Sequence, residues 1–330
     1  MSTSVDLVTF GETMIRLSPR NDERLEQASQ LDARVGGSEL NTAVAAARLG
    51  LHTQYVTRLT GNPLGKMIRN KAREQGVDTR EIVWTDKDRV GTYYVEFGAS
   101  PRANSVIYDR ADSAMAGIQP DDVDWNRILS GKRAFHTSGI TPALSPGACQ
   151  TTEAAVDAAK KAGLIVSIDL NYRARLWTPA EARDVMTRLV RRADVLITTE
   201  EDTERVFGIR EGSYEQVARR LAKEFSLRAV AITLRETPSV WRNTWSAVAV
   251  ADGEVFRGPT YDIEVVDRVG AGDSFGGGFL YGYLKDGPEA GVRYGVTVSA
   301  LKQTNPGDFV WADKEEVERT LAGGGLRIVR

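Results

Sequence analysis

The stretch VVDRVGAGDSFGGGFL, residues 265–280, joins a glycine-rich turn to a segment with helical spacing. Aromatic and leucine positions continue at that spacing through SFGGGFLYGYLKDG, residues 274–287, so the pattern predicts a helix that begins beside Asp273. Gly270, Ala271 and Gly272 would then present backbone N–H groups at the helix N-terminus, where the helix dipole adds positive character. The stretch lacks the lysine of a P-loop, so it predicts a different anion site, most economically one for phosphate.

Glycines also recur inside this helix, at Gly276, Gly277, Gly278 and Gly282. Each costs roughly 1 kcal/mol relative to alanine, or about 4 kcal/mol for the four together. We expect the close approach of another backbone or of a ligand to offset that cost.

Asp273 follows the three glycine-turn amides and has two interpretations. An aspartate at this place is commonly a helix N-cap, which is a purely structural role. A carboxylate beside a phosphate site is repelled by the phosphate unless it has a proton to accept. A general base for phosphoryl transfer has that need, because it takes the proton of the attacking hydroxyl.

Strand and helix patterns alternate along the chain. Strand-like runs such as DLVTFG (6–11), GLIVSIDLN (163–171) and RAVAITL (228–234) are separated by longer helical patterns. That alternation is typical of βαβ units, and continuous apolar runs are typical of strands that helices cover on both faces. We therefore predict an α/β fold with a mostly parallel sheet between two helical layers, as one domain over residues 1–330.

Two regions, about 12–35 and 83–114, lack the helical period. In the second region GTYYVEFG (91–98) and SVIYDR (105–110) alternate as exposed antiparallel strands do. We predict that both regions form a small β-sheet, a lid over one edge of the main domain. Exposed apolar strands often pair with a copy of themselves, so we also predict a homo-oligomer through the lid.

Charge and composition exclude several classes of partner. The 43 Lys and Arg against 45 Asp and Glu give a net charge of −2, so no global basic field favours nucleic acid or an anionic membrane. No segment reaches the roughly 18 apolar residues of a spanning helix. The single cysteine, Cys149, suits a reducing compartment. We expect a cytoplasmic protein that acts on small molecules.

Two motifs, in this order, resemble the ribokinase/PfkB family of sugar kinases. GGSELNTAVAAARLG (36–50) resembles the Gly-Gly-x-x-x-Asn start of the family's first long helix, and the stretch at 265–280 resembles its C-terminal signature. TGNPLGKMI (60–68) is similar to the turn that follows the first helix. The resemblance runs from Val8 to about Val317, and it implies a ribokinase-like three-layer α/β/α fold with a β-sheet lid.

Three further stretches are similar to the 2-keto-3-deoxygluconate kinases of that family: SVIYDRADSA (105–114), DLNYRARLW (169–177) and ALKQTNPGD (300–308). Arginine at position 268 also fits this subgroup. The resemblance implies ATP-dependent phosphorylation, with Mg²⁺, of the terminal hydroxyl of 2-keto-3-deoxygluconate or its galactonate epimer.

The resemblance also implies roles for individual residues. Asp273 is the implied base, and Gly270, Ala271 and Gly272 are the implied anion hole. The residues implied to hold the sugar acid are Gly36, Gly37, Asn41, Tyr93, Tyr108, Arg110 and Arg173. Those implied to lie along the nucleotide are Asn171, Arg235 and Asn305.

The residue chemistry agrees with an acidic substrate, since the planar fork of arginine binds a carboxylate bidentately. Each arginine alone also fits a solvent-facing salt bridge, and GGSELN alone also fits a helix cap made by Ser38 or Asn41.

Two positions depart from the family pattern. The family's Asn-x-x-Glu motif, which organises magnesium through water, should fall in LITTEEDTE (196–204), where Thr199 with Asp202 matches it best. We therefore assign no metal ligand. The glycine-containing nucleotide loop after RAVAITL is replaced by RETPSVWRNTWSA (235–247).

Two other functions stay open: a kinase of the same family for a neutral sugar such as fructose or ribose, and a non-catalytic sugar-binding protein of this fold. An intact GAGD beside a phosphate hole argues against the pure binder, which has no use for a base.

Overall fold

The computed structural model describes residues 5–324. Its strands are β1 (Leu7–Phe10), β2 (Met14–Pro19), β3 (Leu31–Gly36), β4 (Thr53–Thr60), β5 (Ile82–Thr85), β6 (Thr92–Glu96), β7 (Ser105–Asp109), β8 (Ala134–Ser138), β9 (Ile165–Asp169), β10 (Val195–Thr198), β11 (Ala229–Ser239), β12 (Arg242–Ala251), β13 (Glu254–Arg257) and β14 (Tyr261–Glu264). Its α-helices are α1 (Ser38–Arg48), α2 (Pro63–Glu74), α3 (Trp125–Leu129), α4 (Pro146–Lys161), α5 (Pro179–Val190), α6 (Glu200–Phe207), α7 (Tyr214–Phe225), α8 (Ala271–Asp286), α9 (Pro288–Gln303) and α10 (Lys314–Leu321).

Ten strands form the main sheet, in the order β13-β12-β11-β10-β9-β8-β1-β4-β5, with β14 paired to β12. The strands from β11 to β5 run parallel, and β12 adds an antiparallel edge that pairs with β11, β13 and β14. The predicted mostly parallel sheet is therefore confirmed.

Helices cover both faces of this sheet, as the continuous apolar strands predict. Val8 and Phe10 of β1 pack with helices α3 to α7 on one face, whereas Leu7 packs with α1, α8, α9 and α10 on the other. Alternate strand residues thus enter opposite cores, which is the packing of a three-layer α/β/α fold.

Helix α8 lies close to two neighbours because of its glycines. A Cβ at Gly277 would lie 2.5 Å from the carbonyl oxygen of Thr42 in α1, and one at Gly282 would lie 2.5 Å from the backbone of Ala290 in α9. A Cβ at Gly278 would lie 2.8 Å from the carbonyl oxygen of Tyr294 in α9. At Gly276 the nearest atom is 3.5 Å away, so close approach explains three of these four glycines.

The small sheet has the strand order β3-β2-β6-β7. Strands β2 and β3 pair antiparallel, as do β6 and β7, but β2 and β6 pair in parallel. The range 83–114 begins too early for this sheet, because β5 pairs with β4 in the main sheet.

Within residues 5–324, no helix combines the length and the apolar character needed to span a membrane.

Candidate active site

A cavity of about 530 Å³ lies at the carboxyl ends of the parallel strands. Its walls include Glu12 after β1, Asp169 at the end of β9, and Thr199 after β10. Tyr93 and Tyr108 of the small sheet line it from the other side. Open α/β sheets bind ligands in the crevice outside these strand ends, so the location favours a ligand site.

Asp273 faces this cavity from the first turn of α8. Its carboxylate accepts hydrogen bonds from Ser38 Oγ and Asn41 Nδ2, both at 2.7 Å. The N-cap of α8 is Gly270, not Asp273, so the N-cap interpretation is wrong. The local-cap interpretation of GGSELN is confirmed only in part. The Gly37 amide donates to Asn41 Oδ1 at 3.4 Å, but Ser38 Oγ and Asn41 Nδ2 both donate across to Asp273 of α8.

Burial raises the pKa of the Asp273 carboxyl above its ordinary value. The hydrogen bonds from Asn41 and Ser38 lower that pKa, and so does the charge of Arg173, but burial outweighs them. A carboxylate with a raised pKa is a better proton acceptor, which is what a general base needs.

The predicted anion hole lies where α8 begins. Gly270 has φ of 84°, and a Cβ there would lie 2.2 Å from the carbonyl oxygen of Asp308, so only glycine fits this turn. The Ala271 amide donates to the Arg268 carbonyl at 3.2 Å. Among the described residues, the backbone N–H groups of Gly270, Gly272 and Asp273 have no hydrogen-bond partner. The structure therefore offers three amides to an anion, with Asp273 in place of Ala271.

The predicted acid-binding residues meet at the small-sheet side of the cavity. Tyr108 stacks on Tyr93, with ring centroids 5.9 Å apart, and the Arg110 guanidinium lies 5.5 Å from the Tyr108 ring. Two of these side chains already have protein partners. The Tyr93 hydroxyl donates to Asp308, and the Arg110 guanidinium pairs with the buried carboxylate of Glu12.

Arg173 lines the cavity from the segment just after β9. Its charge lowers the pKa of three neighbouring carboxyls, those of Asp169, Asp202 and Asp273. Burial nevertheless leaves all three values raised, and for Asp169 the charges of Asp273 and Asp202 add to the effect. Positive charge is scarce in this acidic corner, which suits a ligand or ion that supplies it.

The three residues implied to lie along the nucleotide are placed differently. Arg235 lines the cavity at the rim, where β11 continues into a long hairpin with β12. Asn171 also lines it, but its amide donates to Ser38 Oγ at 2.9 Å and so supports the hydroxyl that holds Asp273. Asn305 is not among the lining residues, and its amide donates to the carbonyls of Pro306 and Phe309.

A buried ionic cluster lies behind the anion hole. Arg16 of β2 donates to Asp267 Oδ2 at 2.7 Å and to Asp308 Oδ1 at 3.0 Å, and all three side chains are at most 3% exposed. Asp267 accepts from the Val269 amide at 3.0 Å, and Lys302 Nζ donates to the Asp267 carbonyl at 2.7 Å. The cluster thus connects the small sheet to the loop of the predicted anion hole.

The cavity, with Asp273 beside the unpaired amides of α8, agrees with the protein family whose sequence model matches the chain. A model described as pfkB family carbohydrate kinase matches residues 5–310. The chain belongs to this family. It is a carbohydrate kinase with the ribokinase-like fold.

Relatives of this pfkB carbohydrate kinase cover nearly its whole length. It is 40% identical over 328 residues to a 2-dehydro-3-deoxygalactonokinase of Haloferax volcanii, covering 99% of this chain and 100% of the relative. A solved 2-dehydro-3-deoxygluconokinase of Thermotoga maritima superposes with a TM-score of 0.94 at 42% identity, covering 97% and 99% of the two chains. A 5-dehydro-2-deoxygluconokinase of Geobacillus kaustophilus is 30% identical, covering 90% and 87%.

Several residues of the kinase cavity are not predicted by local sequence patterns. Ser38 donates to Asp273, yet its position in the sequence is typical of an ordinary serine at a helix start. Asp308 and Glu12 line the cavity as partners of Tyr93 and Arg110, and nothing in local spacing marks them. Asp308 lies in the stretch ALKQTNPGD (300–308), but in that stretch the resemblance implies a role only for Asn305.

Proposed function

We propose that this kinase transfers phosphate from ATP to the terminal hydroxyl of 2-keto-3-deoxygluconate or its galactonate epimer. The observation that carries the proposal is Asp273, held by Ser38 and Asn41 with its carboxylate facing the cavity, beside unpaired amides at the start of α8. A base next to an anion site matches the needs of phosphoryl transfer to an alcohol. A pure sugar-binding protein needs no such pairing.

The chain's own residues account for the proton and for the negative charge. Asp273 accepts the proton as the acceptor oxygen forms its bond to the transferred phosphorus. The bond from that phosphorus to the bridging oxygen breaks, and its electron pair stays on the departing ADP. The amides of Gly270 and Gly272 lie where charge on the transferred group is stabilised by fixed donors. Ser38 and Asn41 fix the base before the substrate arrives.

The acidic substrate is supported by the cationic and aromatic groups around the acceptor side. Arg110 and Arg173 both line the cavity, and Tyr108 adds a hydroxyl and a ring face. Arg110 is paired with Glu12, so only the N–H groups of its guanidinium that Glu12 does not use are available to the substrate carboxylate. Arg173 has no ion-pair partner among the described residues and is the freer of the two cations. The Haloferax and Thermotoga relatives named above point to the same substrate class.

Magnesium fits the donor set of the acidic corner. In residues 5–324 no cluster of three metal-ligating side chains is present, but Mg²⁺ is usually held by one or two carboxylates plus substrate phosphates. Asp169 and Asp202 would hold it, since both carboxyls line the cavity, and a bound cation would offset the burial that otherwise favours their neutral form. The ion would neutralise charge on the nucleotide phosphates when bound.

A panel of acceptors tests the proposed substrate through ADP release with ATP and Mg²⁺. We expect turnover with 2-keto-3-deoxygluconate or 2-keto-3-deoxygalactonate, and little with fructose or ribose. Preference for 5-dehydro-2-deoxygluconate would move the assignment to the class named for the Geobacillus relative. Preference for fructose or ribose refutes an acidic substrate, and the absence of turnover with every acceptor favours a non-catalytic protein.

We also propose a homodimer through the small sheet. Ala33, Leu17, Tyr94 and Ile107 are register partners, so they form one row across all four strands. Ile107 in this row is 53% exposed, whereas Tyr93 and Tyr108, one residue along, line the cavity on the opposite face. An apolar row of this kind fits a second copy of the sheet. Light scattering should give a dimer mass for the wild type and a monomer mass for Ile107→Lys.

A further inference from the structure

Like Arg173, two further arginines of the cavity, Arg268 and Arg235, have no ion-pair partner among the described residues. Arg268, two residues before Gly270, lines the cavity, and its Nη2 donates to the Val240 carbonyl at 2.7 Å. Its Nε is buried without a hydrogen-bond partner. Arg235 lines the same region from the end of β11, and no side chain of residues 5–324 pairs with its guanidinium. Three other arginines with little exposure, Arg16, Arg58 and Arg110, differ because each pairs with a carboxylate.

The two guanidinium groups lie close enough to oppose each other electrostatically. Burial lowers the pKa of Arg268, and the charge of Arg235 lowers it further. The protein thus holds the half-buried charge of Arg268 near the exposed charge of Arg235, and no carboxylate of the described residues pairs with either. Their repulsion is tolerated only if solvent screens it or if an anion binds between the two guanidinium groups. The second explanation is favoured because the buried Nε of Arg268 lacks a hydrogen-bond acceptor, which a bound anion would supply.

The position of the Arg268 side chain indicates which anion would bind there. Arg268 belongs to the same short loop as Gly270, so its side chain leaves the anion hole on the side of the β11–β12 hairpin. The acid-binding side chains Tyr108 and Arg110 approach from the small sheet instead. With the transferred phosphoryl group at the unpaired amides, the sugar acid therefore lies on the small-sheet side. The remaining phosphates of the nucleotide lie on the side of the β11–β12 hairpin.

We propose that Arg268 and Arg235 clamp the β-phosphate of the nucleoside triphosphate, the group that becomes the terminal phosphate of ADP. Planar guanidinium groups bind phosphate oxygens bidentately, which a lysine cannot do. This inference rests on the proposed kinase function with ATP as donor. As the bond to the departing ADP breaks, its electron pair moves onto the terminal phosphate of ADP, so Arg268 contacts the group that gains negative charge. The clamp thus contributes to nucleotide binding, and it also stabilises the charge that forms on ADP as the bond to the transferred phosphoryl group breaks.

Binding of ADP and AMP, measured by calorimetry with Mg²⁺ and without sugar acid, tests the clamp. Arg268→Gln should weaken ADP binding by about 10- to 150-fold, the range for loss of a charged hydrogen bond, and AMP binding by less than about threefold. Arg268→Lys should fall between that variant and the wild type. Arg235→Gln is the second variant, because its side chain makes no contact on which folding depends. Arg242→Gln is the matched control, an exposed arginine of the same hairpin outside the cavity.

Each outcome bears on the clamp in a defined way. Selective loss of ADP binding in both clamp variants, with Arg242→Gln unchanged, supports it. Wild-type affinity for ADP in folded Arg268→Gln and Arg235→Gln overturns it, and so does equal loss of ADP and AMP binding. Weaker binding of the sugar acid alone would assign these arginines to the acceptor and overturn the clamp. A wild type that binds ADP but phosphorylates no acceptor overturns the proposed function alone, and one that binds neither nucleotide overturns both.

Discussion

Arg16→Met tests whether the buried ionic cluster holds the anion hole in place. The Arg16 side chain is 1% exposed and donates to three acceptors: Ser18 Oγ at 3.0 Å, Asp308 Oδ1 at 3.0 Å and Asp267 Oδ2 at 2.7 Å. Methionine keeps much of the volume but leaves two buried carboxylates without their cation. Removing one partner of a buried ion pair typically costs about 3 to 5 kcal/mol, and two carboxylates are affected here. We therefore expect a loss of at least roughly 3 kcal/mol in unfolding free energy.

The functional effect follows from Asp267, which also accepts from the Val269 amide in the anion-hole loop. If that carboxylate moves, the loop loses its support, so kcat should fall more than the KM of the sugar acid rises. Urea denaturation followed by tryptophan fluorescence gives the stability, and ADP release at saturating substrates gives kcat.

Arg20→Met is the matched control, one residue beyond the same strand. Arg20 pairs with Asp32 at 2.7 Å, but its side chain is 58% exposed, so its loss should cost less than about 1 kcal/mol. The reasoning is refuted if Arg16→Met unfolds within about 1 kcal/mol of Arg20→Met, or if its kcat stays at the wild-type value.

Three further substitutions probe the core and the acceptor side. Burial raises the pKa of Glu39 from 4.5 to about 7, so the folded protein keeps a proton that the unfolded chain loses, and stability falls as pH rises across that window. Urea denaturation at about pH 5 and about pH 8 should show a loss roughly 2 to 3 kcal/mol larger for the wild type than for Glu39→Gln, and equal losses would contradict a protonated Glu39. Gly277→Ala should destabilise by about 1 to 3 kcal/mol because its Cβ would lie 2.6 Å from Ala45 Cβ, whereas Gly276→Ala should not, and similar unfolding midpoints would count against the tight α1–α8 contact. Arg110→Ala should lower kcat/KM for the sugar acid by about 10- to 150-fold and spare a neutral keto-sugar, and equal losses on both would argue against a carboxylate contact.

Periodicity in the sequence was enough to predict the main architecture. The alternation of strand and helix patterns gave the parallel sheet between two helical layers, because that pattern depends only on which faces are apolar. The same reasoning found the small sheet, although it included 83–85 in that sheet. Strand β5 is short, and its pairing with β4 depends on tertiary position rather than on its own four residues.

The site was predictable where glycines and aspartate cluster in one stretch, and less so where partners are distant in sequence. Gly270 and Asp273 lie beside the cavity as expected, since a helix N-terminus is a local feature. Ser38 reaches Asp273 across 235 positions and Arg16 reaches Asp308 across 292, which no local period encodes. Arg110 was predicted to hold the acid group, with a solvent-facing salt bridge as the alternative; it pairs instead with the buried Glu12, which lies between β1 and β2, 98 positions away.

Asp273→Asn tests the central claim that Asp273 is the general base. The asparagine can keep the local geometry, since its oxygen can accept from Asn41 while its amino group donates to the Ser38 hydroxyl. It cannot accept the proton of the acceptor. With 2-keto-3-deoxygluconate and ATP, we expect turnover to fall by about 10²- to 10⁴-fold, while calorimetry gives wild-type affinity for the sugar acid within about threefold. A variant that keeps more than about a tenth of the wild-type turnover would contradict the account.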